Sequence, residues 1–176
     1  MVTGGALPGL LHGGGTVVLT TQNGHDGRYK VSVGSQRLHL DVSTGTVLFA
    51  DDGKLRFTVT EVRGPDIHCR VETAGQLLSR KGINAPGVCF GGDLVGPRDR
   101  KMLAFASSND VDLVGISFVE SARHVDLIRR ELEPTGTKIV AKIETPRAVD
   151  NLEEITAASD AIMIDRGDLS VETSVD

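Results

Sequence analysis

The spacing of apolar residues changes period near Gly87, and that change restricts the chain to a small β unit followed by parallel β/α units. From Thr16 to about Arg80, the runs TVVLT, RYKVSV, RLHLDV, TVLFA, KLRFTVTEVR and DIHCRVET alternate with the turn signals NGHDG, STG, DDG and GPD. Short β-rich runs at this spacing predict a small antiparallel β-barrel or sandwich with no helix. Period-two alternation at Leu55, Phe57, Val59 and at Ile67, Cys69, Val71 predicts one buried and one wet face per strand. Asp52-Gly53 predicts a hairpin turn, because glycine tolerates the positive φ that so tight a turn demands. Residues 1–15, with six Gly and one Pro, read as a flexible leader; the β unit is predicted over 16–87 and the β/α segment over 88–176.

Beyond Gly87, helix and strand alternate at a repeat of roughly 23 residues. Residues 97–108 predict a helix opened by Pro97, and VDLVGISFV predicts a strand buried on both faces. Residues 121–132 place Ala122, Val125, Ile128 and Leu132 on one helical face. TKIVAKIE predicts a second strand, 147–158 a helix and AIMID a third strand.

Composition excludes several classes of function. The formal net charge is -5, with no basic block to meet a phosphate backbone, so nucleic acid is not an expected partner. No apolar run approaches the ~20 residues that span a bilayer, and the first residues lack a signal-peptide pattern, so a cytoplasmic location is expected. Cys69 and Cys89 lack CxxC spacing and read as structural thiols. The HGGG at His12–Gly15 has no GxSxG partner, and the dispersed histidines lack ligand spacing.

In parallel β/α units, functional groups gather where strands end. Ser117 and Phe118 follow the first strand, Lys142 and Glu144 close the second, and Asp165, Arg166 and Asp168 follow the third. Buried charges at such ends call for a partner or a ligand. Two carboxylates on neighbouring strands suit magnesium, which leaves positions for water and phosphate, with Lys142 facing the same ligand. An internal salt bridge from Lys142 to Glu144 or Asp168 is the alternative. Gly167 would let backbone amides turn toward an anion. The RGD tripeptide, at a buried strand end, is a poor adhesion signal.

The stretch VDLVGISFVESARHVDLIRRELEPTGTKIVAKIETPRAVDNLEEITAASDAIMIDRGDLSVET resembles the pyruvate kinase barrel from its fourth to its sixth strand, with SF, KIE, NxxEI, SD and RGDL elements in order. LLSRKGINAPG resembles the return from that family's lid to its barrel, and TGTVLFADDGKLRFTVTEV resembles the lid. The resemblance implies an antiparallel β-barrel lid domain followed by part of a TIM-type (β/α)8 barrel. It implies glycolytic phosphoryl transfer from phosphoenolpyruvate to ADP, giving pyruvate and ATP, with magnesium (or manganese) and potassium. By the same resemblance Lys142 neutralises charge on the transferring phosphoryl group and the enolate, and Glu144 and Asp168 are magnesium ligands. Gly167 and Asp168 hold the substrate carboxylate, Ser117 and Phe118 line the site, and Lys81 faces the nucleotide from the lid edge.

Asp165 departs from the family, which has a small residue there. Its extra negative charge is expected to weaken substrate binding or to point to a different substrate. The family's first three strands, with a phosphate-binding arginine and the potassium ligands, and its seventh and eighth strands have no counterpart in the chain. Three strands do not close an eight-stranded barrel. These residues alone are therefore expected to be weakly active or inactive, and to self-associate or pair with a complementing chain. Two other functions fit the same residues: a noncatalytic remnant that binds ligands or a subunit, and a magnesium-dependent lyase acting on 2-oxo acids.

Overall fold

The computed structural model describes residues 10–22, 30–132 and 135–173. Residues 1–9 of the predicted leader and the NGHDG turn lie outside them. The chain divides into two compact units, Met1–Gly92 and Asp93–Asp176.

The N-terminal unit is built on strands β1 (Thr16–Thr20), β2 (Val31–Ser32), β3 (Val47–Ala50), β4 (Leu55–Arg63), β5 (Asp66–Val71) and β6 (Ile83–Asn84). They form one sheet in the order β2-β1-β5-β4-β3-β6. The predicted purely antiparallel arrangement is corrected at one edge, where β1 and β2 pair in parallel. The remaining pairs are antiparallel. Alternation sets the core: Leu55, Phe57, Val59, Ile67, Cys69 and Val71 are all buried in one apolar cluster.

The β3–β4 hairpin turns through Asp51, Asp52 and Gly53, whose φ values are 53°, 56° and 83°. Asp tolerates the left-handed region better than most residues, and Gly adopts it freely.

Two expectations for this unit fail. The run RLHLDV is not a strand; Leu38–Asp41 forms a short helix, α1. Its spacing carried the signal, because Leu38 and Val42 are 3% and 7% exposed while Leu40 is 62% exposed. Burial at i and i+4 is helical, and a strand would have buried Leu38 and Leu40 together. The end of the predicted leader is also hydrogen-bonded: Leu11 exchanges both backbone bonds with Gly75, and Gly14 N–H donates to Val71 O at 2.8 Å.

The two cysteines differ sharply. Cys69 is buried and Cys89 exposed, and burial pushes the Cys69 thiol up to about 12. Iodoacetamide at pH 8 is therefore expected to label Cys89 readily and Cys69 only as the chain unfolds. Rapid labelling of both sites, read by peptide mass spectrometry, would contradict the packing of β5. Because the folded thiol titrates higher than an unfolded one, Cys69 is also expected to erode stability as pH rises above about 8.5.

The C-terminal unit contains α2 (Pro97–Ser108), β7 (Leu113–Ile116), α3 (Ala122–Leu132), β8 (Lys138–Ile143), α4 (Pro146–Asp150), α5 (Leu152–Ala158), β9 (Ala161–Ile164) and α6 (Arg166–Glu172). Strands β7, β8 and β9 form a parallel sheet in that order. Ile139, Ala141 and Ile143 of β8 pack with Val125, Ile128 and Ile155 in one core cluster. The predicted helix 147–158 is two helices that meet at Asn151, whose φ of -101° and ψ of 17° are not helical.

Burial on both faces of the first strand is also corrected. Leu113 of β7 is 59% exposed, and all four residues of β9 are exposed, with Ile162, Met163 and Ile164 at 37%, 51% and 57%. Parallel sheets normally carry cover on both faces.

Candidate active site

Register brings the strand ends together. Ile116 pairs with Ala141, and Ile143 pairs with Ile164. The residues that follow, Ser117-Phe118, Glu144 and Asp165, therefore emerge along one edge of the sheet, the C-terminal edge where β/α folds place their chemistry. Glu144 is fully buried there. Its Oε2 accepts the Phe118 N–H at 2.6 Å, and its Oε1 lies 2.5 Å from Lys142 Nζ. That second contact is a short ion pair, so each oxygen of the buried carboxylate meets an N–H group. Phe118 donates from a left-handed backbone, φ 53°. A non-glycine residue there stores about 1–3 kcal/mol of strain, which the short charge-assisted bond to Glu144 helps to offset.

Lys142 reaches three neighbours: Glu144, Asp165 Oδ2 at 3.0 Å and Ser117 Oγ at 3.5 Å. Lys142 and Glu144 thus lie on one side of the chain, as their spacing of two residues predicts. The Glu144 carboxylate, and then Asp165, hold the ammonium above its ordinary range, although partial burial opposes them. In turn the Lys142 ammonium holds the Asp165 carboxyl below the usual range. The Lys142–Glu144 salt bridge predicted as the alternative to a ligand site is therefore present, and Asp165 joins it.

Asp165 also caps α6, its Oδ1 accepting the Gly167 N–H at 3.2 Å. Gly167 sits in the first turn of that helix, its amide donating to Asp165. Asp168 lies in the same turn. Glu144, Asp165 and Asp168 each offer a carboxylate oxygen, and these oxygens lie within 4.8 Å of one another. An all-oxygen donor set of three clustered carboxylates suits a hard divalent cation such as magnesium or manganese.

Lys81 belongs to the N-terminal unit. Its ammonium pairs with Asp51 Oδ1 at 2.7 Å, while Lys54 reaches Asp51 Oδ2 at 3.3 Å. Lys81 is the first cause of the lowered Asp51 carboxyl. Lys81 thereby braces the left-handed β3–β4 turn.

Sequence reasoning missed the polar braces around the site. Thr145 caps α4 by accepting the Ala148 N–H at 3.1 Å and donates to Glu120 Oε1 at 3.1 Å. Asn151 Nδ2 donates to Glu120 O at 2.8 Å, and Glu154 Oε1 accepts the Ala122 N–H at 3.1 Å. The NxxEI element thus ties the β7–α3 loop to α4 and α5. At the opposite edge of the sheet, Asp160 Oδ2 accepts from Ile139 N at 2.9 Å and from Arg129 at 3.0 Å. The one local signal for any of these was Thr145-Pro146, a capping residue before a proline at the first helical position.

Comparison with known proteins gives the family. The family model for the pyruvate kinase barrel domain matches residues 1–176. A pyruvate kinase of Mycobacterium intracellulare is 38% identical over 161 residues, covering 90% of this chain and 34% of its own length. One from Thermococcus litoralis is 37% identical over 187 residues, covering 98% of this chain and 39% of its own. One from Agrobacterium vitis is 42% identical over 132 residues, 74% of this chain and 27% of its own. The chain spans about a third of the length of these relatives. The family model covers the whole chain and these relatives are 37%, 38% and 42% identical to it, so the chain belongs to the pyruvate kinase family.

Proposed function

We propose that the chain contributes the Lys142, Glu144 and Asp168 portion of a phosphoryl-transfer site that moves phosphate from phosphoenolpyruvate to ADP. The observation that carries this reading is Glu144, a fully buried carboxylate held by the Phe118 amide and the Lys142 ammonium. Burying such a charge without a ligand to serve is costly. Phosphoryl transfer asks a protein mainly for positioning and charge stabilisation.

In this reading Glu144 and Asp168 hold magnesium or manganese, which when bound neutralises phosphate charge. The Lys142 ammonium faces the transferring group and the developing enolate. Its raised affinity for the proton keeps it cationic across the neutral range. Ser117 and Phe118 line the site, Gly167 and Asp168 orient the substrate carboxylate, and Lys81 serves the nucleotide side. Potassium belongs to the same reading, held by ligands outside the chain.

The lid identity of the N-terminal sheet and the (β/α)8 nature of the C-terminal unit are part of this proposal. So is completion of the site by further strands. Among the described residues, Leu113 and Met163 are uncovered and the outer edges of β7 and β9 pair with no strand, which offers those strands, or a second copy, a place to add. No helix among the described residues is long and apolar enough to cross a membrane; a cytoplasmic location is proposed on the reaction.

Manganese titration followed by water proton relaxation tests the metal assignment. Glu144→Gln and Asp168→Asn are each expected to weaken binding at least about tenfold, since affinity in oxygen sites follows ligand charge. Circular dichroism establishes that each variant is folded. Parental affinity in both folded variants would make the carboxylates structural and remove the assignment.

A further inference from the structure

We infer that Asp165 determines how strongly the site takes anions, by competing with them for Lys142. The inference rests on Lys142 being the anion-facing group of the proposed site. An ammonium has three protons to donate, and Lys142 directs itself at Glu144, Asp165 and Ser117. An incoming phosphate or carboxylate must displace one of these neighbours.

Glu144 is a poor candidate for displacement, since its side chain is 1% exposed and its other oxygen is fixed by Phe118 N–H. Ser117 is neutral and at 3.5 Å marginal, so its release gains little for an anion. Asp165 is the competitor: its side chain is 32% exposed, it carries a full charge, and it sits 3.0 Å from Nζ. Its position is held independently of Lys142, because the other oxygen caps α6 through Gly167 N–H. Lys142 with Glu144, Asp165 and Asp168 sums to a formal charge of about -2, which repels a free anion at short range. Without Asp165 the sum is about -1, and one lysine proton is released to a ligand.

Asp165→Asn separates the two roles, because asparagine caps a helix about as well as aspartate but carries no charge. The isotopically labelled chain would be titrated with inorganic phosphate and with phosphoenolpyruvate at fixed ionic strength and without divalent cations. Amide shifts of Ser117 and Phe118 report binding, and that of Gly167 reports the cap. Asp165→Asn is expected to bind both anions about tenfold tighter than the parent, as removal of one nearby, partly screened charge implies. Adding Lys142→Met is expected to abolish the gain. A larger gain for phosphoenolpyruvate than for phosphate would show that its carboxylate is also received.

Equal affinities in parent and Asp165→Asn, no saturable shift in Asp165→Asn, or a gain that survives Lys142→Met would each overturn the inference. Failure of the metal assignment is read separately, by manganese binding in Glu144→Gln and Asp168→Asn.

Discussion

Lys142→Met is expected to lower the stability of the C-terminal unit by about 3–5 kcal/mol, far more than loss of a surface lysine, because it strands a buried carboxylate. Glu144 would keep the Phe118 N–H and lose the ammonium 2.5 Å from Oε1. Lys142 is itself 22% exposed, so the loss belongs at the lower end of that range. Lys142→Met combined with Glu144→Gln is expected to recover most of it, since both charges then disappear together. Urea unfolding of the parent, the two single variants and the double variant gives the coupling. A Lys142→Met variant within about 1 kcal/mol of the parent would mean a solvated pair of the surface kind.

The pH dependence of the pair follows from the directions of its shifts. Lys142 is raised, first by Glu144, so its contribution is intact below about pH 10.4 and fades as pH rises through the higher folded value. Asp165 is lowered, first by Lys142, so its contribution is present above about pH 3.9 and is lost as pH falls through the lower folded value. Across the neutral range both groups stay charged. The competition at Lys142 is therefore a standing feature of the site at neutral pH.

What could be read from sequence was what repeats or ends. Alternation at Leu55, Phe57 and Val59 marked a buried face, and Asp52-Gly53 marked a hairpin, because both are set by local backbone geometry. The strand ends were legible because Lys142, Glu144 and Asp165 are charges next to apolar runs. Their pairing was not. A salt bridge from Lys142 to Glu144 was one reading, but the second partner is Asp165, which arrives from a neighbouring strand through parallel register. Asp165 was legible as an extra charge; its double role, capping α6 with one oxygen and holding Lys142 with the other, required the fold.

The same reason hid Glu120, Thr145, Asn151 and Glu154. Each makes a bond across 25 to 32 residues of sequence, and nothing in local spacing names its partner. The break at Asn151 illustrates the cost of reading by period alone. A continuous helical pattern over 147–158 is interrupted at Asn151, whose side-chain amide donates to the Glu120 carbonyl. The short helix at Leu38 was missed for the opposite reason. RLHLDV carries both a strand period and a helix period, and tertiary burial of Leu38 with Val42 decides between them.

Phe57→Ala is expected to cost the N-terminal unit about 3–5 kcal/mol while leaving manganese binding in the C-terminal unit within about twofold of the parent. Phe57 is fully buried, opposite Leu48 on β3 and Val71 on β5, in the middle of the six-stranded sheet. Its ring is among the largest fully buried side chains, and sheet neighbours anchored by backbone pairing close only partly over the space it vacates. Against a typical domain stability of about 5–15 kcal/mol, that loss is a large fraction. The core residues around Phe57 run from Val17 to Ala85, and those around β8 run from Val95 to Ile155, with none in common. Hydrogen exchange at amides of β4 and β5 reads the first effect, and water proton relaxation with manganese reads the second. Parallel loss of manganese binding would mean that the carboxylates depend on the N-terminal core, and the site could not then be assigned to the strand ends of the C-terminal unit alone.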